Sequence, residues 1–210
     1  MSTDLFEAIE QHDLDRLAAL LSSGADPNAI QPRAHGWRPL HAAIEELEHG
    51  GPVEALVLLL RSGAIVDGWD VRRDATPLLM ALFRHQPEAV RILLAAGADP
   101  NVEGSEGDSP LRWSVEQSDL ETAAMLLRCE ATKTIDSAGG PSGMSSLGRA
   151  ASRLNVPMIE LLLRAGADPD ALDADHQTAH ERLPARGSTE PQRWDQAAAL
   201  MQGQRVPRPR

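Results

Sequence analysis

His176 and His180 lie four residues apart with Glu181 beside the second, a spacing that would set two imidazoles on one helix face and let them hold a transition metal. Thr178 stands between them, however, and a threonine that caps a helix leaves His176 outside it, so no metal is expected there. The run Gly139-Gly140-Pro141-Ser142-Gly143 precedes a helix and could turn N–H groups toward a phosphate, yet it lacks the Gly-Lys-Ser/Thr ending of a phosphate-binding loop. Nor does it fit Gly-x-Ser-x-Gly, because Met144 occupies the place of the last glycine. The carboxylates Asp168, Asp170, Asp173 and Asp175 lack the spacing and central glycine of a calcium loop. Cys129, the only cysteine, rules out an intrachain disulfide and a cysteine-based zinc cluster, and is read as a small packing residue. The chain is therefore expected to be no enzyme and to need no cofactor or metal. The alternative is a small enzyme with a shallow site near the 137–143 loop or at His176 and His180.

The elements that would position these groups announce themselves by repetition. Gly24-Ala25-Asp26-Pro27-Asn28 returns as Gly97-Ala98-Asp99-Pro100-Asn101 and as Gly166-Ala167-Asp168-Pro169-Asp170, with weaker copies at Gly63 and Glu130. The steps between copies are 39, 34, 33 and 36 residues, a period that belongs to stacked helical repeats and not to a globule with one central core. Each copy ends an apolar run at helical spacing, such as Val53 to Leu60 or Met158 to Leu163, and its glycine offers the positive φ with which a chain leaves a helix. A second block opens another helix in each unit: Arg38-Pro39-Leu40-His41, Thr76-Pro77-Leu78-Leu79, Ser109-Pro110-Leu111-Arg112 and Ser145-Ser146-Leu147-Gly148. There Thr or Ser accepts from an orphan N–H of the first turn, and Pro at the first helical position forfeits nothing.

These blocks, at fixed offsets from about Asp4 to about Thr178, resemble the ankyrin-repeat family. The resemblance implies an all-α ankyrin-repeat solenoid of about five to six helix-turn-helix units with short β-hairpin loops. It also implies that His41 makes a structural hydrogen bond between neighbouring loops. The units are divided as an N-terminal cap at 1–28, internal repeats at 29–67, 68–101, 102–134 and 135–170, and a C-terminal cap at 171–202, together one domain spanning 1–202. The first helix should start near Asp4, Thr178 should cap a helix of the last unit, and Trp194, Ala197, Ala198 and Met201 should share the face that closes the stack. Residues 203–210 are read as a disordered tail. Insertions at 45–52 and 137–143 lengthen an inter-helix link and a hairpin tip.

Composition narrows the partners. A formal charge of −11 speaks against nucleic acid, whose phosphates need clustered Lys and Arg, and favours a protein partner with a basic face. No apolar run approaches the ~20 residues of a membrane helix, and the acidic start does not read as a secretory signal. A monomeric, cytoplasmic protein is expected, and the near-absence of lysine (Lys133 alone) points to a GC-rich, bacterial coding background. The resemblance implies binding through hairpin tips and the concave face of the first helices. By offset from the Pro39-like positions, those surfaces carry Arg33, His35, Trp37, Glu45 and Glu46, then Trp69, Arg72, Arg73, Phe83 and Arg84. Beyond them come Glu106, Asp108, Trp113, Glu116 and Gln117, then Met144, Arg149 and Arg153. Trp and Arg are the types most enriched among binding hot spots.

Overall fold

The computed structural model describes residues 2–31, 36–104, 107–140, 142–188 and 190–203. Their contacts fall into two compact units, Met1–Ser105 and Glu106–Arg210. The described residues form α-helices and one short 3-10 turn, with no strand among them.

The first unit holds three helix pairs: α1 (Ser2–Glu10) with α2 (Leu14–Ser22), α3 (Pro39–Leu47) with α4 (Glu54–Arg61), and α5 (Pro77–Phe83) with α6 (Pro87–Ala95). First helices pack in the order α1, α3, α5 and second helices in the order α2, α4, α6. The second unit pairs α7 (Pro110–Glu116) with α8 (Leu120–Arg128) and α9 (Ser146–Ser152) with α10 (Val156–Arg164), and α11 (Pro191–Gly203) packs against α10. Each pair hides one apolar stripe against its neighbour. Leu17, Ile44, Leu56, Leu59, Leu78 and Leu93 are buried in the first unit, as are Leu111, Leu126, Leu147, Ile159 and Leu162 in the second.

Local chemistry sets the helix ends. Thr76, Ser109 and Ser145 accept from the backbone N–H three residues on, at 3.4, 3.3 and 3.1 Å, and so begin α5, α7 and α9. Second helices are capped by Asp13, Asp119 and Asn155 in the same way, at 2.9, 3.0 and 3.2 Å. The residue before each of these caps, His12, Ser118 or Leu154, sits in the left-handed region at φ 57°, 58° or 50°, which reverses the chain tightly enough to bring the pair together. Gly24, Gly63, Gly97 and Gly166 leave the second helices at φ 90–97°. In the fourth copy Glu130 takes the same conformation at φ 66°.

Several expectations need correction. α1 starts at Ser2, ahead of Asp4. The 45–52 insertion does not merely lengthen a link: Glu45, Glu46 and Leu47 continue α3, which reaches nine residues against seven for α5, α7 and α9. Thr178 caps no helix. It exchanges bonds with Glu181, whose carboxylate accepts from Thr178 N–H at 2.8 Å while Glu181 N–H donates back at 3.4 Å, but the chain from Thr178 to Leu183 only turns. Pro184 explains the failure, since it lacks the N–H a next turn requires and disfavours helical geometry at Leu183. Cys129 is exposed at the end of α8, so the packing role does not hold. The closing helix is as anticipated: α11 buries Ala197, Ala198 and Met201, with Trp194 half-buried and its indole N–H donating to Pro184 O at 2.9 Å.

Candidate functional site: hairpin loops and first-helix faces

Among the described residues, three of the loops that follow second helices are closed as hairpins by backbone bonds: Gln31 N–H to Trp37 O at 2.8 Å, Asp70 N–H to Ala75 O at 3.2 Å, and Asp173 N–H to Gln177 O at 3.0 Å. No strand forms there among the described residues. The hairpins are instead fastened to one another. Val71 N–H donates to Gly36 O at 3.2 Å in the first unit, and Ala174 N–H donates to Gly143 O at 3.0 Å in the second. Both glycines are left-handed, and a Cβ at Gly36 would come within 2.6 Å of Val71 Cβ, so only glycine allows this approach.

Side chains add a ladder beneath the tips. Asn28 accepts from Ile65 N–H at 2.7 Å and donates to Gly63 O at 3.0 Å, Asp67 accepts from Asp99 N–H at 3.0 Å, and Asp136 accepts from Asp168 N–H at 2.9 Å. The fifth residue of the recurring phrase, Asn28 or Asp67, thus satisfies the backbone of the next, and Asp136, two residues further along its own phrase, does the same. His41 works one layer deeper. Fully buried, it donates through Nε2 to Ala75 O at 3.2 Å while Nδ1 accepts from Arg38 N–H at 3.4 Å, as the resemblance implied. Burial pushes its imidazole below the ordinary range, Arg38 adding to the effect and the Ala75 carbonyl and Asp70 opposing it.

Arg112 occupies the equivalent position in α7 and does the same work with a longer arm. Arg112 is 2% exposed, and its guanidinium donates to Gly107 O and to Ser137 O in the inserted loop. A Cβ on Gly139 would lie 2.6 Å from Arg112 Nη1 and 2.9 Å from Gly107 O. The 137–143 loop is therefore laid over a buried cation, with Pro141 outside the described residues.

The residues proposed for contact fall into three neighbourhoods. At the first unit's hairpins, Trp37 and Trp69 are half-buried and Arg72 and Arg73 exposed, and the Arg73 guanidinium lies 5.6 Å from the Trp69 ring centre. Arg38, overlooked in the sequence, ties these loops together by donating to Trp69 O at 3.0 Å and Asn28 O at 2.9 Å. Its place ahead of Pro39, where other units put Thr or Ser, is the signal that could have found it. Arg33, His35 and Glu106 lie outside the described residues.

On the first unit's first helices, Arg84 sits between Glu45 at 2.7 Å and Glu48 at 3.4 Å, and Glu46 meets His12 at 3.0 Å. Phe83 is half-buried beside them. In the second unit Trp113 is half-buried on α7, and Glu116, at its end, meets Arg149 at 2.7 Å and Arg153 at 3.4 Å. Asp108 is half-buried near the inserted loop, its Oδ1 standing 3.1 Å from where a Cβ on Gly140 would be. No three His, Cys, Asp or Glu side chains converge on a metal position among the described residues. His180 packs edge-on against Trp194 with ring centres 6.2 Å apart. Among the described residues, no helix is long and apolar enough to cross a membrane.

A scaffold of paired helices tied through successive loops is that of the ankyrin repeat, and residues 5–104 match the family description "Ankyrin repeats (3 copies)". The chain belongs to the ankyrin-repeat family. It is 30% identical over 151 residues, 70% of its length, to NF-kappa-B inhibitor alpha of Sus scrofa, and 32% identical over 169 residues, 78% of its length, to the B-cell lymphoma 3 protein homolog of Mus musculus. It spans 48% and 36% of those proteins. Among solved structures, an ankyrin repeat domain from Acinetobacter baumannii AYE superposes with a TM-score of 0.79 at 22% identity, covering 95% of this chain and 96% of that one. A chain from the complex of a predatory endopeptidase of Bdellovibrio bacteriovorus with an immunity protein superposes at 0.69 and 24% identity, covering 97% and 99%.

Proposed function

We propose that the protein is a non-catalytic interaction module that grips a protein partner through its hairpin tips and first-helix faces, as a bacterial adaptor or as an inhibitor that covers the working surface of a partner enzyme or toxin. The observation that carries this reading is the fastening of the hairpins. Gly36, Arg38 and His41 hold the loops bearing Trp37 and Trp69 in a fixed relation, so part of the ordering cost of binding is met before a partner arrives. Support for an inhibitory role comes from the relatives: one is named as an inhibitor, and one structural neighbour belongs to an endopeptidase–immunity protein complex.

Charge shapes the partner. The first 105 residues carry sixteen carboxylates against eight arginines, whereas the remaining 105 carry fifteen against twelve Lys and Arg. The first unit therefore favours a partner with a basic face, mainly by speeding encounter. A cytoplasmic, monomeric existence is consistent with this role.

Affinity capture from the native host, with the bound protein identified by mass spectrometry and its affinity then measured, tests the proposal. Replacing Trp37 or Trp69 by Ala is expected to weaken capture by ~2 kcal/mol or more with helicity unchanged. Undiminished affinity in both variants would remove these tryptophans from the binding surface.

A further inference from the structure

The two units carry inverted charge triads on their first helices. In the first unit one guanidinium, Arg84, serves two carboxylates, Glu45 and Glu48. In the second, one carboxylate, Glu116, serves two guanidinia. Arg149 directs Nε and Nη2 to Glu116 Oε2, both at 2.7 Å, and Arg153 approaches the same oxygen through Nη2 at 3.4 Å while its Nη1 donates to Glu116 O. The Ser142 hydroxyl donates to Glu116 Oε1 at 3.4 Å.

Two monocations around one monoanion leave a local surplus of positive charge, in a chain whose formal charge is −11. The surplus faces water: the Arg153 side chain is 39% exposed and that of Arg149 25%, against 20% for Glu116. Each guanidinium has more N–H donors than the contacts to Glu116 employ. Trp113, one turn before Glu116 on α7, presents a partly exposed indole on the same helix face.

We propose that this second-unit cluster, centred on Arg149 and Arg153, is a subsite for a carboxylate side chain of the partner protein, an Asp or Glu with an apolar neighbour that rests near Trp113. The proposal deepens the interaction reading and rests on it. Guanidinium pairs match carboxylate geometry through paired N–H bonds. Glu116 then acts as an internal placeholder: it orients both arginines in the free protein and shares them with the incoming carboxylate.

The test uses the full chain, labelled with nitrogen-15 in its arginines, and three capped peptides of identical length: Ser-Glu-Leu-Glu-Ser and its Gln and Lys counterparts. Signals of Arg149 and Arg153 are assigned with Arg149→Lys and Arg153→Gln. The Glu peptide is expected to shift the Nε–H resonances of both residues saturably at physiological salt, and Arg153→Gln to weaken that response by about fivefold or more with helicity retained. Arg149→Lys, which keeps the charge but loses the fork, should weaken it less than Arg153→Gln. Equal shifts with the Gln peptide, shifts spread over all exposed arginines, or silence at Arg149 and Arg153 would each overturn the subsite. Those results would leave the hairpin reading standing if Trp37→Ala or Trp69→Ala still impairs capture. Loss of the hairpin effect with a positive peptide titration would do the reverse.

Discussion

At the scale of single residues the chain solves one problem twice. A buried side chain must satisfy the backbone of the following loop, and His41 does so in one repeat while Arg112 does so in another. The two differ in what acid does to them. His41 is neutral in the fold, with Nδ1 accepting from Arg38 N–H, and a proton at Nδ1 would set donor against donor. Because its imidazole is pushed below the ordinary value of 6.5, the unfolded chain binds the proton more readily than the fold does. Stability from this source is whole above about pH 6.5 and declines as pH falls below it. Asp173 adds a later loss. Although burial opposes ionisation there, bonds from Arg182 and from the Gln177 and Asp175 N–H groups hold its carboxyl below 3.8, so its share disappears only as pH falls beneath that value. Urea unfolding followed across this range should show the first decline in the wild type and a flatter profile in His41→Asn, and identical profiles would remove His41 as the cause.

At the scale of elements, stability resides in the stripes that second helices bury. Leu93 in α6 and Leu162 in α10 are fully enclosed. Leu93→Ala or Leu162→Ala should cost about 2–5 kcal/mol by leaving a cavity, read as a lowered midpoint in chemical or thermal unfolding. A silent melt in both would mean these helices do not form the core. This level was also the most legible in the sequence. The glycine of each recurring phrase marked where α2, α4, α6 and α10 end, and Thr76, Ser109 and Ser145 marked where α5, α7 and α9 begin, because caps and left-handed exits are local chemistry. What escaped was non-local. Thr178 has the local signature of a cap, but Pro184 prevents the helix from following. Glu45 to Leu47 read as part of a link, yet α3 absorbs them. Arg38 and Arg112 stand in the helix-start blocks with no local sign of their role, since the carbonyls they serve lie on loops gathered by the fold, Asn28 and Trp69 for one and Gly107 and Ser137 for the other. Of the candidate contact residues, taken by offset from the repeat, stacking pairs Glu45 with Arg84, and Glu116 with Arg149 and Arg153, which a local reading of the sequence does not show.

At the scale of the whole molecule, neighbouring repeats within each unit are fastened through their hairpins, at Gly36 and Val71 in the first and at Gly143 and Ala174 in the second, and bury one another's apolar sides. Such a scaffold places binding groups on a framework already ordered, which suits tight recognition without chemistry. The most direct measurement is amide hydrogen exchange on the full chain, free and saturated with the captured partner. The account predicts added protection in the Trp37 and Trp69 hairpins and at the C-terminal ends of α3, α5, α7 and α9, with the outer faces of α2, α4, α6, α8 and α10 unchanged. Protection confined to those second helices, or to the turn around His176 and His180, would contradict it.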